Sequence, residues 1–127
     1  MTDDRTSSLR RDNSIAAVVH LVQAVAVVAL ATGFALPVTA AYMEGPPGTP
    51  AADPTVLFDI PTGAAVAAFL GLSALAHVLV ATVWWPRYVA DLGRSRNPAR
   101  WVEYSLSSSL MIVLIAQLVG ISDVAAL

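Results

Sequence analysis

The chain has 127 residues and a mass of 13.3 kDa, one domain's worth of polypeptide. It is 57% hydrophobic and 13% charged, with a mean hydropathy of +0.69, whereas a soluble domain carries roughly 45–50% apolar and about 25% charged residues. These figures exclude an ordinary water-soluble fold. The lack of cysteine removes disulfides, thiolate zinc sites and cysteine nucleophiles, and a net charge of −2 removes bulk electrostatic capture of nucleic acid.

In chain order, residues 1–13 carry Arg5, Arg10 and Arg11 and read as a polar tail. Residues 14–43 follow without a charge, well beyond the about 20 residues that cross a bilayer. Asp12, Asn13 and Ser14 are candidate caps for a helix here, and Gly33 and Pro37 are expected to end or kink it. Residues 44–59 hold Pro46, Pro47, Pro50 and Pro54 with Gly45 and Gly48, a turn-rich loop. Residues 60–86 form a second uncharged run, apolar all round rather than on one stripe. Residues 87–100 are a basic connection with room for one helical turn, and Asn97 followed by Pro98 has the form of a helix cap. Residues 101–122 make a third run, whose one charged residue is Glu103.

Inside hydrocarbon the backbone finds no water, so each run is expected to satisfy its own polar groups as a helix. The expected fold class is an all-α membrane protein with three transmembrane helices. Its basic residues, Arg5, Arg10, Arg11, Arg87, Arg94, Arg96 and Arg100, all fall in the tail and the second connection, and none is lysine. The positive-inside rule then puts the amino terminus in the cytoplasm and residues 44–59 outside. The competing reading of the first run is a cleaved signal peptide, with Val38, Thr39 and Ala40 before the cut. That run is about twice the usual apolar core of such a peptide, and His20 and Gln23 interrupt it.

Ionisable groups within membrane helices are costly and by default mark function. There are three: His20, His77 and Glu103, at estimated depths of roughly 9, 13 and 5 Å from the cytoplasmic ends of their runs. Polar neighbours at helical spacing join them: Gln23 beside His20, Ser73 beside His77, Ser107 and Gln117 beside Glu103. A small hydrated cavity is expected, in which the carboxylate pairs with a cation such as Arg100 or is protonated. Plainer roles exist for several of these residues. Serines 105, 107, 108 and 109 suit close helix packing, and Trp84, Trp85, Tyr88 and Trp101 suit an interfacial belt. Two histidines and a glutamate also admit a metal, although no clustered ligand spacing favours one. No metalloprotease motif, phosphate loop or nucleophile elbow is present, and no enzymatic activity is expected.

The third run contains Ala99, Arg100, Trp101, Val102, Glu103, Tyr104, Ser105, Leu106, Ser107, Ser108, Ser109, Leu110, Met111, Ile112, Val113 and Leu114. This stretch resembles the third helix of a heliorhodopsin. His20, Leu21, Val22 and Gln23, together with Leu72, Ser73, Ala74, Leu75, Ala76 and His77, are similar to that family's first two helices. The resemblance covers all three runs and is weakest in the proline-rich loop. It implies the front of a seven-helix retinal-binding light sensor with a cytoplasmic amino terminus, in agreement with the arginine distribution. By resemblance, Glu103 matches the counterion of the protonated retinal Schiff base, and His20 and His77 match the histidines of the hydrated cavity beside it. Gln23, Ser73, Asn97, Trp101 and Tyr104 match the polar and aromatic positions around that cavity, and Ser107, Ser108 and Met111 match positions near the chromophore. The outer loop would belong to a homodimer surface. The family attaches retinal through a lysine on its seventh helix, and these 127 residues contain no lysine, so by themselves they cannot form the Schiff base. The expected partners are therefore the bilayer, retinal and lysine-bearing carboxyl-terminal helices. The alternative from another class is a small non-pigmented three-helix interaction subunit, in which the polar residues serve helix association.

Overall fold

A computed structural model describes residues 3–50 and 52–127. Its elements are α1 (Asp3–Leu30), β1 (Ala35–Ala40), β2 (Thr55–Pro61), α2 (Thr62–Ala81), α3 (Trp85–Gly93) and α4 (Pro98–Leu118). Three helical stretches, Arg5–Leu30, Thr62–Ala81 and Pro98–Leu118, are long and apolar enough to cross a membrane. They keep large apolar side chains such as Val18, Val22, Leu75, Ile112 and Ile115 exposed on their outer faces. A hydrocarbon surround removes the cost that water would impose on those faces.

Several boundaries differ from the sequence reading. Residues 3–13, read as a polar tail, are helical, because α1 starts at Asp3; no glycine or proline interrupts the chain from there to Leu30. Asn13 and Ser14 consequently lie mid-helix rather than at a cap, and their side chains donate back to the carbonyls of Leu9 and Arg10. The uncharged run 14–43 divides: helix to Leu30, then β1 from Ala35, which pairs antiparallel with β2. Gly33 is a poor helix residue, and Pro37 supplies no N–H and would clash with a preceding helical turn, so the apolar run does not continue as helix and its second part becomes the first strand of a hairpin whose reversal lies between Ala40 and Thr55. The loop assigned to 44–59 therefore yields its last residues to β2. The run 60–86 also divides, since α2 ends at Ala81 and Pro86 opens the separate nine-residue α3. Proline is tolerated in the first turn of a helix and not within one. At α4 the sequence signal holds: Asn97 caps the helix, its side chain accepting from the Arg100 N–H at 3.2 Å, with Pro98 next in line.

The central helix is α2, with α1 packed along it on one side and α4 on the other. The contact faces are built from small residues: Ala17 and Ala24 on α1, Ser73, Ala74, Val80 and Ala81 on α2, and Ser107 on α4 are buried. Such residues let membrane helices approach closely, where dispersion rather than hydrophobicity supplies the attraction. At the amino-terminal end of α2, a Cβ on Gly63 would come within 2.6 Å of the Ala31 Cβ, so only glycine fits that crossing.

Beyond α4 the chain closes a Schellman motif. Gly120, at φ +94°, donates to the Gln117 carbonyl and Ile121 donates to that of Ala116. This turn carries residues 122–124 alongside β1, where the Thr39 N–H bonds the Ser122 carbonyl and the Val124 N–H bonds the Thr39 carbonyl, both at 2.8 Å. Val38 and Ala40, alternate residues on one face of β1, are nearly inaccessible at 2% and 3%.

At the opposite end of the α1–α2 pair, Arg10 ties α1 to the carboxyl-terminal end of α2. Its Nε donates to the Ala81 carbonyl at 2.9 Å, and its guanidinium lies 5.7 Å from the centre of the Trp85 ring. A cation at a helix carboxyl terminus satisfies an orphan carbonyl and complements the helix dipole. Arg10→Ala is expected to cost about 1 kcal/mol, because the contact is partly solvated. Thermal unfolding in a lipid nanodisc measures it, and an unchanged midpoint would deny Arg10 this anchoring role.

Candidate functional site

Near the ends of the helices that adjoin α3, residues of α1, α2, α3 and α4 line a half-open cavity of about 500 Å³. Its polar lining is Asn13 and His20 from α1, Ser73 and His77 from α2, Tyr88 from α3, and Asn97, Arg100, Glu103, Tyr104, Ser107 and Ser108 from α4 and its cap. Met111 and Phe69 add apolar wall. The depths estimated from sequence thus correspond to a shared space, because α1, α2 and α4 each turn one polar stripe toward it.

Glu103 is half-buried, and its Oε1 accepts a hydrogen bond from Ser73 Oγ at 3.1 Å, linking α4 to α2. His20 and His77 stack across the α1–α2 contact, ring centres 5.7 Å apart and planes inclined by 10°. The Nδ1 of His77 bonds Asn13 Oδ1 at 2.9 Å, whereas the Nδ1 of His20 is buried with no partner. Arg100 does not pair with Glu103, as the spacing had allowed. Its guanidinium hydrogen-bonds the Tyr104 hydroxyl and sits 4.7 Å from that ring's centre. One helical turn separates Arg100 from Tyr104 and only three residues separate it from Glu103, so helix geometry permits both, and the aromatic face prevails.

Two of the expected site residues stand apart. Gln23 is exposed on α1, one turn outward from His20, and Trp101 is 64% exposed on α4. Trp101 lies two residues before Glu103, about 200° round the helix, which takes it off the cavity stripe. Gln117 does share that stripe and is buried, but it lies roughly 21 Å further along α4 and its amide has no partner. Among the described residues no three His, Cys, Asp or Glu side chains gather as a metal cluster. Sequence reasoning missed Asn13 and Tyr88 as cavity residues. The signal for Asn13 was present: it precedes His20 by seven residues, two helical turns, and so shares its face.

The sequence match covers nearly the whole chain. Residues 9–127 match the family model described as Heliorhodopsin. The chain belongs to the heliorhodopsin family. No curated protein gives a significant match. Membership indicates a retinal-binding, light-sensing fold, and with three apolar helices it makes this heliorhodopsin a multi-pass membrane protein. The match begins inside α1 and runs through the end of the chain, so it includes every cavity residue.

Proposed function

We propose that the chain is the amino-terminal part of a heliorhodopsin light sensor of the cell membrane, amino terminus in the cytoplasm, in which Glu103 is the counterion of a protonated retinal Schiff base. One observation carries this reading. The Glu103 carboxylate lies on the cavity wall, held by the neutral Ser73 hydroxyl and by no arginine or lysine among the described residues. A carboxylate so placed calls for a cation, and its oxygens can accept from the N–H of a protonated Schiff base. Retinal, when bound, supplies the light-driven isomerisation and the positive charge.

The chain's own residues supply the electrostatics. Ser73 orients the Glu103 carboxylate by donating to it. His20 and His77 provide a polar surface able to take up a proton, with Asn97 and Tyr104 beside them on the cavity wall and Gln23 and Trp101 as outer positions of the same set. Ser107, Ser108 and Met111 offer α4's small and flexible side chains to the chromophore. Attachment needs a lysine, which these residues lack, so lysine-bearing helices outside them are required partners. The bilayer and a second copy, meeting through the segment 44–59 that connects β1 to β2 and opens β2, complete the partner set.

The test is intact mass from native membrane after retinal addition and borohydride reduction, which fixes a Schiff base covalently. The expected result is a retinyl adduct on a lysine-bearing species that contains this sequence or co-purifies with it. A bare 13.3 kDa chain with no lysine-bearing companion would overturn the reading in favour of a non-pigmented interaction subunit.

A further inference from the structure

The Asn13 carboxamide makes two bonds whose chemistry is not interchangeable. The Leu9 carbonyl oxygen, 2.8 Å away, can only accept, so the amide nitrogen must face it. Oδ1, an acceptor, is thereby turned to His77 Nδ1 at 2.9 Å. A neutral imidazole has one N–H and one lone pair, and two lone pairs cannot meet at that distance. We infer that Asn13 is a positioning residue for His77, fixing the neutral ring as the Nδ1–H tautomer and leaving its Nε2 lone pair as the proton acceptor.

His20 has the opposite environment. Its buried Nδ1 faces no acceptor, so nothing stabilises a proton there, and the ring takes the Nε2–H form. The stacked pair therefore has a polarity: His77 presents a lone pair at the ring atom where His20 presents a donor. A proton entering the cavity is received at His77 Nε2, while Asn13 and Leu9 hold the far side of that ring on the α1 backbone. The inference concerns the protein with or without a pigment and is independent of the counterion assignment.

The chain contains two histidines, which makes nitrogen NMR direct. Histidine-¹⁵N-labelled full chain in lipid nanodiscs, at a pH where both rings are neutral, is expected to give one Nδ1–H ring and one Nε2–H ring. His20→Gln removes the Nε2–H pattern and so assigns the two. Asn13→Leu, which deletes the acceptor, is expected to exchange the His77 signals to the Nε2–H pattern while those of His20 stay in place. Asn13→Asp, which keeps an acceptor oxygen, is expected to retain Nδ1–H. An Nε2–H pattern for His77 in the unmodified chain overturns the inference without recourse to any variant, and so does Nδ1–H persisting in Asn13→Leu.

Discussion

Glu103→Gln in the pigment-bearing protein is expected to move the visible absorption maximum to longer wavelength and to lower the Schiff base pKa by roughly 1–3 units, the effect of one opposite charge at close range. As the proposed counterion, the carboxylate would stabilise a positive charge localised at the nitrogen. Without it the protonated form is less favoured, so deprotonation occurs at lower pH, and the ground state loses more stabilisation than the excited state, whose charge is spread along the polyene. Glutamine keeps the size of the side chain and an oxygen able to accept from Ser73 Oγ, so the α2–α4 contact survives and the effect is electrostatic. Spectrophotometric titration measures both quantities. An unchanged spectrum and titration would remove the counterion role while leaving the helical fold untouched.

The largest expected effect on stability is at Gly63. Valine there would drive a branched side chain into Ala31, where even a single methyl group would approach to 2.6 Å. Overpacking of this kind costs about 1–3 kcal/mol. The damage falls where the amino-terminal end of α2 meets the end of α1, in the most extensive helix contact among the described residues. The measurement is the unfolding midpoint in a bilayer mimetic for Gly63→Val, and for Gly63→Ala with and without Ala31→Gly. Removing the opposing methyl should recover most of the alanine loss, because the clash is between the two Cβ atoms. Equal losses with and without Ala31→Gly would show that the glycine serves backbone flexibility instead.

The residues that line the cavity were more legible than the element boundaries. Glu103, His77, Ser73 and His20 were found because charge or polarity inside an apolar run is visible in sequence and its depth follows from a fixed rise per residue. Asn13 was hidden by the assumption that the first helix begins where the charges stop. Helices do not begin or end at a change of polarity: α1 starts at Asp3 among the charged residues and stops at Leu30 within the apolar run, and Pro37 and Pro86 lie beyond the ends of α1 and α2, where they bar either helix from continuing. The strand at Ala35–Ala40 was hidden for a related reason, since its apolar residues read like the helix before them and only pairing with Thr55–Pro61 distinguishes the two.

Composition and the placement of three apolar runs were enough to determine that this chain is a helical membrane protein, because a bilayer demands internally paired backbone and a minimum length. The order of residues 9–127 was enough to place it among the heliorhodopsins. The tertiary structure alone decided which polar groups meet. Arg100 turns to Tyr104 and away from Glu103, Ser73 closes on the carboxylate from another helix, and Asn13 reaches His77 across the α1–α2 contact. Spacing along one helix limits the directions a side chain can take, whereas its partner depends on how a second helix is rotated and set beside it, and small packed residues such as Ala17, Ala24 and Ala74 determine that.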